Sequence, residues 1–233
     1  CGQPVEAFVS PITGTLLGPA LCPGCEAAQQ AKLRQAEEAA RARQRQHRRE
    51  NIQVLLARAG VPPRYHGCSL ENYQGNLPPE QPVMLLGAPG TGKTHLAVAY
   101  LRGWMIAHGD TGAWFCRVLD LLRRLRRGYE VGEDLVDRLG RETGFLVLDD
   151  LGTEMATDFA LQNIYDIVDL RYAYGLPLVI TSNLEIRKIG ELYGTNFLSR
   201  LQEMGEVVQL NGPDHRLRLA DARQQRQCEQ NMH

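Results

Sequence analysis

Gly87-Ala88-Pro89-Gly90-Thr91-Gly92-Lys93-Thr94 sets three glycines, a lysine and a hydroxyl at the spacing of a loop that wraps phosphates. It follows the apolar run Val83-Met84-Leu85-Leu86 and opens His95-Leu96-Ala97-Val98-Ala99-Tyr100-Leu101, the strand–loop–helix setting such a loop requires. Gly87, Gly90 and Gly92 let the backbone turn its N–H groups inward. A helix starting near Lys93 adds a positive dipole end. Lys93 is expected to reach the β- and γ-phosphates of ATP, and Thr94 to hold Mg²⁺ through its hydroxyl. Pro89 and Thr91 complete the loop around ATP or ADP. His95 follows it and is expected beside the nucleotide, packed on the helix.

Further carboxylate and cationic groups stand where such a site needs them. Phe145-Leu146-Val147-Leu148 reads as a buried strand that ends in Asp149-Asp150. Asp149 is placed to hold Mg²⁺ directly or through water. Asp150 follows it, with a side chain one methylene shorter than glutamate. Water positioning is sensitive to about an ångström, so slow hydrolysis is expected. A strand-end turn with two solvated aspartates is the alternative. Val179-Ile180-Thr181-Ser182-Asn183 is a second strand with a polar tip, and Asn183 is expected to orient the lytic water or touch the γ-phosphate. Arg200, in Phe197-Leu198-Ser199-Arg200-Leu201, is a candidate to reach a neighbouring subunit's γ-phosphate, or else a salt-bridged surface arginine. Arg216, in Gly212-Pro213-Asp214-His215-Arg216, is a weaker candidate for sensing nucleotide within the chain.

These groups need a rigid frame. From about 64 to 218, apolar strands alternate with helical stretches. Strands are expected at 83–86, 113–117, 145–148, 178–181 and 207–210. Helices are expected at 94–108, 118–128, 132–142, 157–174, 185–192 and 196–203. Such alternation means an α/β fold with a parallel sheet and crossover helices, and the nucleotide belongs at the C-terminal strand ends. The 233 residues suffice for a proper core, and 43% hydrophobic with 23% charged residues describes an ordinary globular chain. The net charge of −1 leaves nucleic-acid binding to local patches. No stretch approaches about 18 uncharged apolar residues, so no membrane span is expected, and no signal peptide is read.

The front of the chain differs. Residues 1–25 are rich in Gly, Pro and Cys, and Cys22-Pro23-Gly24-Cys25 has the shape of a zinc knuckle. Cys1 stands 21 positions before Cys22, and the segment 3–21 is expected to form the hairpin of a ribbon-type Zn²⁺ site. The fourth ligand would lie upstream of Cys1, because the chain begins without Met; His47, His66 and Cys68 are rivals. Cys68 and Cys116 otherwise read as core residues. Residues 26–58 form a polar, basic helix without a broad apolar stripe, expected to be exposed or to bridge domains. Its arginines are either solvated or face an acidic partner. Gly60-Val61-Pro62-Pro63 punctuates the boundary, giving units of 1–25, 26–58, 59–219 and a polar tail at 220–233.

In this order the motifs resemble the AAA+ family, and within it the helicase loaders typified by DnaC together with the transposition ATPase IstB. The likeness extends to Ser69-Leu70-Glu71-Asn72-Tyr73 after the Pro62-Pro63 turn, to Asp149-Asp150-Leu151-Gly152, and to Thr181-Ser182-Asn183-Leu184. The short C-terminus leaves no room for the usual helical lid. Asp150 departs from the glutamate of the wider AAA+ pattern. The resemblance implies a cytosolic ATPase that assembles as a spiral homo-oligomer, six with the helicase. It also implies docking on a DnaB-type hexameric replicative helicase through the amino-terminal region, and a grip on single-stranded DNA. Tyr129 and Phe159 fall where the family carries DNA-contacting aromatics, beside Arg123, Arg124 and Arg127. These belong to a stretch whose residues 118, 121, 122 and 125 share an apolar face. The rival is a transposition ATPase that binds duplex DNA and a transposase. A third reading is a nucleotide-gated binding module without turnover.

Overall fold

A computed structural model describes residues 8–9, 16–17, 23–78, 81–109, 112–131, 135–142, 144–153 and 157–215. The chain divides into two units, 1–49 and 50–233. In the first, β1 (Phe8–Val9) pairs antiparallel with β2 (Leu16–Leu17), Phe8 opposite Leu17. This hairpin falls inside the segment 3–21. Helix α1 (Pro23–Glu50) follows. Pro23 suits a first helical position because its missing N–H has no intrahelical partner there. His47, Arg48 and Arg49 in the last turn complement the helix dipole. Apart from Cys25 and Arg48, its described residues are all exposed, as the missing apolar stripe dictates.

The helical stretch read over 26–58 is not continuous. It ends at Glu50, turns at Asn51 and resumes as α2 (Ile52–Arg58). Ile52, Leu55 and Leu56 supply the stripe that α1 lacks, and Ile52 and Leu56 are buried with Leu96 and Leu101 in the second unit.

That unit is built on a five-stranded parallel sheet of β3 (Pro82–Leu86), β4 (Trp114–Arg117), β5 (Leu146–Leu151), β6 (Leu178–Ser182) and β7 (Glu206–Gln209), in the order β4-β5-β6-β3-β7. Between them run α3 (Lys93–His108), α4 (Val118–Val131), a short α5 (Leu135–Asp137), α6 (Asp158–Ala173), α7 (Ile186–Tyr193) and α8 (Thr195–Met204). Both faces of the sheet are covered, so the strands are apolar throughout rather than alternating. Met84, Leu86, Leu146, Leu148, Leu178 and Ile180 pack with α4, α6 and α8. Their neighbours Leu85, Val147 and Val179 pack with α2 and α3 on the other side.

Residues 138–142 form a π-helical turn instead of completing the α-helix read at 132–142. Arg171 is the cause. Its guanidinium, wholly buried, donates to the carbonyl of Leu139 at 2.7 Å and to that of Gly144 at 2.8 Å. The Leu139 carbonyl is thus drawn to a side chain on α6. Gly140 lies so close to Leu170 that a Cβ would meet its side chain. The first strand of the sheet, β3, lies between β6 and β7. The crevice of a parallel sheet opens where strand order reverses, at the C-terminal ends, and β3 delivers the phosphate-binding sequence to that point.

Candidate nucleotide-binding site

The loop between β3 and α3 takes two left-handed steps, at Gly90 (φ 80°) and Gly92 (φ 94°). Side-chain-bearing residues rarely hold this conformation. Lys93 and Thr94 then open α3. Lys93 is buried, and its ammonium donates to the carbonyls of Gly87 and Ala88, both at 2.8 Å. Its charge thus sits inside the curl of the loop, against the N-terminal end of α3. Thr91 Oγ1 braces the loop from within by donating to the Ala88 carbonyl at 2.9 Å.

The tips of β5 and β6 close the other side. Thr94 Oγ1 donates to Asp149 Oδ1 at 2.8 Å, and Thr181 Oγ1 donates to the same oxygen at 2.8 Å. Burial pushes the Asp149 carboxyl above the usual carboxylate range, while the two hydroxyls pull it back. Successive strand residues normally face opposite sides, yet both Asp149 and Asp150 serve this cleft. The reason is a bulge: from Leu148 to Leu151 the chain advances three residues while β6 advances two, from Ile180 to Ser182. Asp150 takes φ 65°, the one positive φ outside glycine among the described residues. Its N–H donates to Thr181 Oγ1 at 2.9 Å, and its Oδ1 accepts from Asn183 Nδ2 at 3.3 Å. Arg117, at the tip of β4, stands 3.9 Å from Asp150 Oδ2. A hydroxyl and a carboxylate oxygen side by side are the hard donors Mg²⁺ takes, so Thr94 and Asp149 fit that ion.

A cavity of about 520 Å³ opens over this surface. Pro89, Gly90, Gly92, Lys93, Thr94, His95, Asp150 and Asn183 line one side. The rest of the lining comes from Arg64, Tyr65, Cys68, Asn72, Tyr73 and His215, none of which was expected at the nucleotide. Tyr73 lies on Gly92 so closely that a Cβ there would meet its ring, and the ring also tilts against His95, 5.5 Å between centroids. His95 Nε2 is 3.0 Å from the Ser69 carbonyl. Asn72 folds this segment by accepting from the Ser69 N–H and donating to the Gly67 carbonyl. The signal for it was Ser69-Leu70-Glu71-Asn72-Tyr73 after the Pro62-Pro63 turn.

Residues 76–223 match the family described as IstB-like ATP binding protein. The chain belongs to that family. An IstB-like ATP-binding core accounts for a phosphate loop, a paired-aspartate strand and a polar β6 tip meeting at one crevice. A putative ATP-binding protein of insertion sequence IS5376 from Geobacillus stearothermophilus is 29% identical over 64% of this chain and 60% of its own length. A replicative helicase loader DnaC from Buchnera aphidicola is 25% identical over 68% of this chain and 72% of its own. The crystal structure of a DnaC helicase loader superposes with a TM-score of 0.56 at 28% identity, covering 64% of this chain and all of that one. The fold is therefore an AAA+ P-loop core with relatives among both helicase loaders and insertion-sequence ATP-binding proteins.

Other expected site residues lie apart from this crevice. Arg200 pairs with Asp169 at 2.9 Å, bonds the Tyr165 hydroxyl, and sits 5.0 Å from the Tyr165 ring centre. Val118, Leu121, Leu122 and Leu125 bury the inner face of α4, leaving Arg123, Arg124, Arg126 and Arg127 exposed. Arg124 lies over the Trp114 ring, and Arg126 over Phe159, which is half-buried on α6. Tyr129 belongs to the same helix. Arg216, Cys1 and Cys22 lie outside the described residues; Cys25 stands in the first turn of α1. Among the described residues no group of three or more His, Cys, Asp or Glu is arranged to hold a metal. His66 Nε2 is 2.8 Å from the Val61 carbonyl, and Cys68 lines the cavity, which gives both of these rival zinc ligands places in the second unit. No helix among them is long and apolar enough to cross a membrane.

Proposed function

We propose that this chain is an ATP-dependent loader of a hexameric replicative helicase onto single-stranded DNA, working in the cytoplasm during DNA replication. The carrying observation is the full coverage of a solved DnaC loader by this chain at 28% identity, joined to the loader from Buchnera at 72% of its length. ATP binding would assemble subunits into a spiral, with Arg200 reaching across to the next subunit's site. Thr94 and Asp149 would hold Mg²⁺, which neutralises phosphate charge when bound. Lys93 would hold the β- and γ-phosphates. Asp150 and Asn183, already hydrogen-bonded to each other, would orient the lytic water. Slow turnover fits a switch whose bound state must outlast helicase loading.

The exposed arginines of α4, with Tyr129 and Phe159, would take the DNA backbone and bases. The amino-terminal unit would dock on the helicase. Its β1–β2 hairpin between Cys1 and Cys22 supports the zinc reading, with Cys1, Cys22 and Cys25 as ligands.

A second reading rests on the insertion-sequence relative at 29% identity: a transposition ATPase acting on duplex DNA with a transposase. Light scattering after size exclusion separates the two. With ATP and the host's hexameric helicase, co-elution above the mass of the hexamer is expected of a loader. Separate elution of folded protein would move the assignment to the transposition ATPase.

A further inference from the structure

Three contacts lay the segment after β7 along the phosphate loop. Leu210 N–H donates to the Leu86 carbonyl at 2.7 Å, continuing the pairing with β3. The Leu210 carbonyl lies against Gly87, where a Cβ would collide with it. The His215 N–H donates to the Gly90 carbonyl at 3.2 Å. Between these anchors the Asp214 carboxylate rests on Gly90, so close that a Cβ on that glycine would overlap it. Gly87 and Gly90 therefore admit a strap of their own chain as well as left-handed turns.

A carboxylate at this point is chemically notable. The loop beside it is built to attract anions, through its inward N–H groups, the start of α3 and the buried Lys93 ammonium. Asp214 carries the same sign of charge as a nucleotide's phosphates and is packed on Gly90 next to His215, two residues that line the cavity. A phosphate entering the loop would meet that like charge.

We infer that Asp214 is an internal competitor for the phosphate loop, so that nucleotide binding lifts the strap 211–215 and signals loop occupancy to the chain beyond it. The inference rests on the nucleotide-binding role of the loop. It makes the segment following β7 a reporter of that loop. A strap seated about nine-tenths of the time weakens apparent nucleotide affinity about tenfold.

The test uses the full chain with fluorescent ADP and ATP analogues. Asp214→Asn and Asp214→Ala are expected to bind both about tenfold more tightly than the parent. Hydrogen exchange supplies a second readout. In the parent, amides of 211–215 should exchange faster when ADP is added, while Leu210 stays protected by Leu86. In Asp214→Asn they should exchange fast without nucleotide. Unchanged or weaker affinity in both variants, or greater protection of 211–215 with ADP, overturns the inference. Failure of the parent itself to bind nucleotide, with Lys93→Ala indistinguishable from it, would instead overturn the nucleotide-binding role.

Discussion

Thr94 and Asp149 stand 55 residues apart in sequence and meet through a 2.8 Å hydrogen bond, hydroxyl to carboxylate, at the floor of the crevice. That bond ties the phosphate loop to the tip of β5. It leaves a buried carboxylate with two hydroxyls as its support.

This burial has a measurable consequence. The folded carboxyl titrates above its unfolded value, so the native state binds more protons than the unfolded state across that interval. Stability from this group is greatest at low pH and declines as pH rises through the folded pKa. At pH 7 Asp149→Asn is therefore expected to be more stable than the parent, with the gap closing on acidification toward the ordinary carboxylate pKa. Mg²⁺ with ATP should reverse the order, because only the parent has the anionic ligand. Turnover in the variant should fall about 10- to 100-fold. Thermal melts of both proteins across pH decide the first point, and an advantage of the variant over the parent no larger at pH 7 than at pH 4 would defeat it.

Asp150 carries strain at the next position. A non-glycine residue at φ 65° costs roughly 1–2 kcal/mol, and here the bulge requires it. Asp150→Gly should recover about 1 kcal/mol of stability while losing ATP turnover, since the carboxylate that Asn183 contacts is gone. A gain in melting temperature with retained turnover would remove Asp150 from the reaction. The sequence showed two aspartates at a strand end. It could not show that one extra residue turns both toward the cleft, because a bulge depends on pairing with a distant strand.

Arg171 predicts a loss of a different kind. Its guanidinium donates to the carbonyls of Leu139, Gly144 and Pro177, which come from three separate segments. Burial draws its pKa down to about 9, so it remains charged at neutral pH. Arg171→Met would strand three carbonyls and should cost about 3 kcal/mol or more. Arg171→Lys, with one nitrogen in place of a planar fork, should recover only part of that. Urea midpoints give the values, and a loss below about 1 kcal/mol for the methionine variant would mean the carbonyls find other partners.

The strands were legible because both faces of the sheet are covered, which writes them as unbroken apolar runs such as Val83 to Leu86. The helices flanking them showed through periodicity, as at Leu121, Leu122 and Leu125. Contacts between distant segments were not legible. Tyr73 on Gly92, Asp214 on Gly90 and the π-turn held by Arg171 each join residues whose local sequence carries no sign of the other. The break at Asn51 was visible only in hindsight, as the point where an apolar stripe begins at Ile52.

The α4 arginines bear on partner choice. Arg124 and Arg126 lie over rings at 5.4 and 5.5 Å, and Arg123 pairs with Asp120. These contacts fix guanidinium groups without neutralising the face. Replacing Arg123, Arg124 and Arg127 with alanine should weaken single-strand binding. It should also reduce the slope of log affinity against log salt by about 2, with ATP affinity unchanged. Filter binding at several salt concentrations measures both, and an unaltered slope would take DNA away from this helix.

Arg200 poses the final test, because its contacts within the chain compete with a role between chains. The ion pair with Asp169 is partly exposed, 29% and 43% for the two side chains. Exposed pairs contribute about 0–1 kcal/mol, so the release of Arg200 toward a neighbour is opposed mainly by its bond to the Tyr165 hydroxyl and its place over that ring. Arg200→Ala should keep ATP affinity and lose turnover. Lys93→Ala should lose both. Mixed, the two inactive proteins should regain part of the activity, since a Lys93→Ala subunit can still offer Arg200 to an intact site on its neighbour. Recovery that rises with total protein concentration identifies action across the interface. Mixtures as inactive as their components, with assembly shown by light scattering, would confine Arg200 to its pair with Asp169.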